Sequence, residues 1–194
     1  MKRILITGFE PFGGETINPS WEAVKSLPEK INGYSLTKLL LPVVFGEAAS
    51  LALKTAEEIN PNCILCIGQA GGRAEVTPEL VAINLRYASI PDNNGNQPKD
   101  EVVKSGAPAA YFSTIPVRKI SDAINSSGIP SKVSYSAGTF VCNDLLYTLL
   151  SHYENSDTKV GFIHIPYSKE QGKTPSMEMR DIIKALTVAI ENLE

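Results

Sequence analysis

No stretch of this chain approaches the ~18 uninterrupted apolar residues that would cross a bilayer, so no membrane span is expected. Basic runs are missing too. Lysine and arginine total 18 against 21 acidic residues, a net charge of −3. No Lys/Arg stripe offers a footprint for nucleic acid or an anionic membrane surface. Cysteine is scarce and odd in number, three in all, which argues against a disulfide framework. The first residues, MKRILITGFEPFGG, hold two basic side chains and then an apolar run too short for a secretory signal. These absences lead to the expectation of a cytoplasmic protein with free thiols. Histidine is scarcer still, with two residues, and that limits where imidazole chemistry can sit.

What is present is an alternation of element types within 194 residues, 43% of them hydrophobic, enough for one domain with a sizeable core. RILITG and CILCIG are short apolar runs stopped by glycine, the pattern of buried parallel strands. YSLTKLLLPVV, ELVAINLRY, KVSYS and KVGFIHIP also read as strands. NPSWEAVKSLPEK reads as a helix, with Asn18 as N-cap and Pro19 in the first helical position. GEAASLALKTAEEIN, PVRKISDAINSSG, FVCNDLLYTLLSHY and SMEMRDIIKALTVAIENL complete the helices. The pattern predicts one α/β domain over residues 1–194, a three-layer α/β/α sandwich around a mainly parallel twisted sheet. One irregular piece, SIPDNNGNQPKDEVVKSGAP, runs to about 20 residues, a length usually functional or mobile. Ligands of such sheets bind beyond the carboxyl ends of the strands, which here read GFEPFGG, GQAGGR, SAGTFVC and HIPYS.

Cys142 falls in the first turn of a helix, after a Gly-Thr turn, where unpaired N–H groups and the macrodipole favour a thiolate. Cys63 and Cys66 lie three apart inside a buried strand, on opposite faces, and read as core. A thiol nucleophile needs a base. His152 is on the Cys142 helix but about 15 Å along it at ~1.5 Å per residue. That leaves His164, at the end of the strand that follows this helix; adjacent elements tend to pack together. The base in turn needs an orienting partner. Glu79 shares the parity of Val81, Ile83 and Leu85, so as a carboxylate it must be paired or exposed. Spacing alone does not choose it over Glu75, Asp92 or Asp144. The glycine-rich turns GFEPFGG and GQAGG could cradle phosphate, as in a phosphorylase, but match neither a Walker nor a dinucleotide fingerprint.

The blocks GFEPFGG with NPSWEAV, IGQAGGR, TPELVAIN, IPDNNGNQP, SAGTFVCN and GFIHIPY, in this order along nearly the whole chain, resemble pyroglutamyl peptidase I, also called pyrrolidone-carboxylate peptidase. The resemblance implies a metal-free, cofactor-free omega-peptidase that removes N-terminal pyroglutamate from peptides, working as a homodimer or homotetramer. It implies Cys142 as nucleophile, His164 as base and Glu79 as orienting acid. It also implies an apolar pocket lined by Phe9, Phe12, Ile90, Phe140 and Val141, with Asn18 and Gln69 near it and Gln69 able to hydrogen-bond the lactam. The chain departs from the family where DARIPDN is customary: it reads YASIPDN, so Ser89 occupies the usual arginine position. Leu80 likewise stands where arginine is common. Two rival readings are a weakly catalytic pyroglutamyl-binding protein and a phosphorolytic enzyme.

Overall fold

The computed structural model describes residues 2–194. In chain order the elements are β1 (Lys2–Phe9), α1 (Pro19–Ser26), β2 (Lys30–Ile31), β3 (Tyr34–Leu41), α2 (Glu47–Ile59), β4 (Cys63–Gln69), β5 (Thr77–Pro78) and β6 (Val81–Ile83). They continue with β7 (Ala110–Phe112), α3 (Val117–Ser126), α4 (Val141–His152), β8 (Lys159–Ile165), β9 (Tyr167–Ser168), β10 (Ser176–Met177) and α5 (Met179–Glu191). The central sheet has the order β2-β3-β1-β4-β8-β5. Its four long strands, β3, β1, β4 and β8, are mutually parallel, and the two-residue strands at its edges are antiparallel. None of the described helices is long and apolar enough to cross a membrane.

The runs of apolar residues explain why the sheet is sandwiched. Alternate side chains of each long strand feed opposite cores. Ile4, Ile6, Leu65, Ile67, Ile163 and Ile165 pack with α1, α3 and α5. Leu5, Ile64, Cys66, Val160 and Phe162 pack with α2 and α4. Cys63 and Cys66 fall in different cores, as their spacing predicts. Burial on both faces is the condition under which a strand carries no polar alternation.

Two of the predicted strands are altered by local chemistry. ELVAINLRY does not run as one strand. Residues 81–83 leave the main sheet and pair with β7 in a separate two-stranded sheet, and there Ala82 is the buried residue while Val81 and Ile83 are half-buried. The expected parity of Glu79 with those two therefore breaks at the strand boundary. KVSYS runs parallel to residues 76–80 but forms only isolated bridges, Val76 with Ser131 and Glu79 with Ser134. Its ladder is Val76 N–H to Pro130, Lys132 N–H to Val76, Ser134 N–H to Pro78 and Leu80 N–H to Ser134. The missing rung is the donor that Pro78 lacks. The long segment 89–108 is held by an Asx turn. The Asp92 carboxylate accepts from Phe45 N–H (3.0 Å), Asn94 N–H (2.9 Å), Asn96 N–H (2.8 Å) and Asn96 Nδ2 (3.0 Å).

Chain crossing the sheet places the functional ends. The order reverses around β1, with β3 on one side and β4 on the other, so a crevice opens above the carboxyl ends of β1, β4 and β8. Helix α1 starts beside that crevice. Asn18 Oδ1 caps it, accepting from Ser20 N–H (3.1 Å) and Ser20 Oγ (2.8 Å). The same Ser20 hydroxyl accepts from Phe9 N–H (2.9 Å), which ties the end of β1 to the start of α1.

Candidate active site

Three backbone facts bring Cys142, His164 and Glu79 to one place. His164 sits near the end of β8, opposite Gly68 of β4. Glu79 follows β5, which pairs antiparallel with β8 through Thr77–His164 and Pro78–Ile163, and its N–H donates to Phe162 O (2.9 Å). Cys142 is the second residue of α4, which packs against β8. Gly68 is where these meet. A Cβ there would lie 2.6 Å from Phe162 Cζ and 3.0 Å from Cys142 Sγ, so only a glycine at that register position admits the sulfur next to the His164 strand.

Glu79 is fully buried. Its Oε1 lies 2.7 Å from His164 Nδ1 and also accepts from Arg73 Nη1 (2.7 Å). Burial alone would raise the carboxyl pKa; the hydrogen bond and charge of His164, joined by Ser134 and Arg73, outweigh it and hold Glu79 below the ordinary value. An ionised carboxylate only accepts, so Nδ1 is the ring nitrogen that donates to Glu79, and Nε2 is the one left to face the sulfur's side of the ring. The second oxygen, Oε2, is buried with no hydrogen-bond partner among the described residues. The other acids that spacing left open go elsewhere. Glu75 pairs with Lys132 near the surface, Asp92 holds its own turn, and Asp144 binds Arg86 Nε (2.6 Å) and Gly46 N–H (2.8 Å). His152 is exposed at the far end of α4, against Tyr153.

Opposing effects act on the Cys142 thiol. Burial and the nearby Glu79 charge push its thiol up to about 12, against the smaller downward pull of Arg73 and the backbone N–H. Helix position favours a thiolate, but desolvation in an apolar cleft with a carboxylate close by is the larger effect. Burial and the Glu79 charge therefore oppose the thiolate that the helix start favours. Cys63 and Cys66 are pushed to about 12 by burial as well. Cys142 differs from them in access: it is half-buried, while Cys63 is 2% and Cys66 0% exposed.

The cleft beside the sulfur is a cavity of about 210 Å³. Phe9, Phe12, Val43, Phe140 and Val141 supply its apolar walls, and Cys142, His164, Asn18, Gln69 and Arg73 also face it. The rings are braced against one another, Phe12 and Phe140 with centroids 6.1 Å apart and Phe45 edge-on to Phe140 at 5.2 Å. Of the pocket residues named from sequence, Ile90 alone lies off the cavity wall. It is 44% exposed and sits over Gly13, because the turn around Asp92 carries its segment outward. Asn18 reaches the cavity, but its amide is spent on the α1 cap and on Glu10 O (3.0 Å). Ser89 is exposed and does not line the cavity. Arg86 is held by Asp144.

Sequence reasoning underused two residues. Gly68 was read only as the stop of an apolar strand. Arg73 is more deeply integrated than a loop arginine after GQAGG suggests. Besides Glu79 it donates to Thr77 Oγ1 (2.7 Å) and Ser136 O (3.2 Å). Asn143 contributes one residue beyond the sulfur: its side chain accepts from Ile83 N–H (2.9 Å) and donates to Ile83 O (2.9 Å) and Leu85 O (3.0 Å), which clamps the start of α4. That helix begins at Phe140 with no side-chain cap, so its first N–H groups stay open beside the sulfur.

Comparison with known proteins places this geometry in context. The family model described as pyroglutamyl peptidase matches residues 2–194. A pyrrolidone-carboxylate peptidase of Bacillus cereus is 50% identical over 98% of this chain and 92% of its own length. One from Lactobacillus helveticus is 46% identical over 97% of both. Among solved structures, pyroglutamyl peptidase I of Bacillus amyloliquefaciens superposes with a TM-score of 0.96 at 46% identity, covering 100% of this chain and 97% of that one. Pyrrolidone carboxyl peptidase of Thermococcus litoralis gives 0.95 at 39% identity, covering 100% and 93%.

Proposed function

The chain belongs to the pyroglutamyl peptidase family, and from that premise we propose that it hydrolyses the amide bond after an N-terminal pyroglutamyl residue, with Cys142 as nucleophile, His164 as general base and acid, and Glu79 as orienting acid. The observation that carries this reading is Glu79 Oε1 held 2.7 Å from Nδ1 of His164, whose ring lines the same cavity as Cys142. A pyroglutamyl ring is small and uncharged, and a cavity of about 210 Å³ walled by phenylalanines suits it.

Burial disfavours a free thiolate, so proton transfer accompanies S–C bond formation in this proposal: His164 Nε2 takes the Cys142 proton while sulfur adds to the scissile carbonyl. The imidazolium that results is stabilised by Glu79, whose lowered pKa keeps it ionised. The carbonyl oxygen becomes an oxyanion facing the uncapped first turn of α4, where backbone N–H groups are already oriented. His164 then donates its proton to the departing amine, the C–N bond breaks, and a thioester remains on Cys142. Water, deprotonated by His164, then adds to the thioester carbonyl; the C–S bond breaks, pyroglutamate leaves, and the proton on His164 returns to the Cys142 sulfur. Arg73 neutralises part of the Glu79 charge, its Nη1 donating to Glu79 and Thr77 and its Nη2 to Ser136 O.

The phosphorolytic reading loses ground on the same page: the cation facing the cavity is Arg73, already paired, and the walls are aromatic. A homodimer or homotetramer in the cytoplasm is a further part of the proposal, which sedimentation velocity and cell fractionation test. Turnover of a pyroglutamyl chromogenic amide, with and without a thiol alkylator and with and without phosphate, tests the main proposal. Phosphate-independent turnover abolished by alkylation is expected; binding of pyroglutamate without turnover would replace the peptidase reading with the binding-protein one.

A further inference from the structure

Gln69 faces the cavity, but an amide can present either a donor or an acceptor to a ligand. The structure resolves which one through a residue outside the cavity wall. Gln171 lies in the short 3-10 turn 169–171 that follows β9. Its Oε1 accepts from the backbone N–H of Ser168 (3.1 Å). A backbone N–H can only donate, so this end of Gln171 is an oxygen and the other end is its NH2. That NH2 lies 2.9 Å from the Gln69 side chain and 3.5 Å from Glu15 Oε2, a carboxylate that can only accept. Two groups of fixed polarity therefore set the orientation of Gln171. The Gln69 atom facing it must be Oε1. The Gln69 NH2 makes no hydrogen bond among the described residues and is left for the cavity.

We propose that Gln171 is a positioning residue for substrate recognition: it occupies the Gln69 oxygen, so that Gln69 offers the site a donor only and reads the lactam carbonyl of the pyroglutamyl ring. The inference rests on the peptidase reading above and adds the residue that sets its polarity. A lactam carbonyl accepts. The ring of an N-terminal proline, which has a cationic amine and no ring carbonyl, offers nothing to a donor. A donor-only Gln69 thus favours pyroglutamyl over prolyl termini. Glu15 and Lys173, which pair with each other, brace the far side of Gln171 and hold the 169–173 turn against the loop that carries Phe12.

The test is steady-state kinetics of Gln171→Glu and Gln171→Leu on a pyroglutamyl amide. Glutamate at 171 can still accept from Ser168 N–H, so the turn keeps its cap. Its other oxygen accepts too, which forces Gln69 to donate toward it and turn Oε1 into the cavity, against the lactam carbonyl. KM should rise roughly ten- to hundredfold, the range for a buried polar group left facing a like partner, with kcat within about threefold. Gln171→Leu frees Gln69 to adopt either orientation, and KM should rise only several-fold. The order Glu worse than Leu is the signature, because a merely structural role predicts the reverse. Adding Glu15→Gln to Gln171→Glu removes the new like charge and should leave the KM defect in place. In a Gln69→Leu background, Gln171→Glu should add nothing to KM. Equal KM values for Gln171→Glu and wild type, a worse Leu than Glu, rescue by Glu15→Gln, or a full effect without Gln69 would each overturn the inference while leaving the peptidase reading intact. A wild type without turnover would remove that reading and this inference with it.

Discussion

Replacing Gly68 with alanine adds one methyl group at the point where the sulfur, the base and the core meet. The backbone there is not left-handed, so alanine carries no conformational penalty, and the whole effect is contact. The new carbon would sit 2.6 and 2.8 Å from Phe162 Cζ and Cε1 and 3.0 Å from Cys142 Sγ. Carbon atoms pack at ~3.5–4.0 Å, so the Phe162 ring must give way by about 1 Å. It has little freedom to do so. Phe162 is fully buried, its centroid 4.6 Å from the His164 ring and 6.4 Å from Phe9. Overpacking of this kind costs roughly 1–3 kcal/mol of stability. The displacement passes to His164 directly, and a misplacement of about 1 Å in a catalytic group can cost on the order of a hundredfold in rate. Gly68→Ala should therefore unfold at lower urea with an unchanged m-value and lose at least tenfold in kcat on a pyroglutamyl amide. A folded Gly68→Ala protein with kcat within twofold of wild type would refute the claim that sulfur and imidazole meet across this glycine.

Two further perturbations separate the roles at the site. Glu79→Gln should cost less activity than His164→Ala, because the amide can preserve geometry but cannot stabilise an imidazolium; a His164→Ala protein with wild-type turnover would remove the base from the account. The same substitution has a stability signature. The folded pKa of Glu79 is depressed, so its ionised form contributes stability that is full above the ordinary glutamate range and is lost as pH falls through the depressed value. The stability gap between wild type and Glu79→Gln, read from urea unfolding at stepped pH, should close on acidification, and a pH-independent gap would contradict the assignment. At Ser89, an exposed position off the cavity wall, arginine would add a long cation able to reach toward the oxyanion. If the uncapped start of α4 already suffices, Ser89→Arg leaves kcat/KM unchanged; a rise approaching a hundredfold, equivalent to the ~2.7–4 kcal/mol range of one oxyanion donor at its lower end, would show that a donor is missing.

The layered fold was legible because its signal is local. The buried parts of β1, β4 and β8 are largely apolar runs, and each helix carries its own apolar face. The strands that failed to form as read, ELVAINLRY and KVSYS, are those whose fate depends on neighbours distant in sequence: β6 is captured by β7, and the KVSYS ladder is interrupted by a proline on the facing segment. At the site, scarcity made elimination work for His164, since one of two histidines was out of reach of Cys142. Glu79 was different. Its partner is 85 positions away, and the choice among four acids is made by how β5 pairs with β8, a tertiary fact without a spacing signature. The burial that opposes a Cys142 thiolate leaves no such trace, because a helix start is visible in sequence and desolvation is not. Ile90 was misplaced for a similar reason, since the Asp92 turn that carries it away closes through contacts with Phe45.

The account turns on a covalent bond to Cys142. Rapid quenching of the enzyme in acid during turnover of a pyroglutamyl ester, followed by peptide mass mapping, measures that bond directly. The account predicts one pyroglutamyl acyl group on the peptide containing Cys142, none on those containing Cys63 or Cys66, and none in Cys142→Ser. Full turnover with no acylated peptide at any time point, or with the acyl group on another residue, would contradict it.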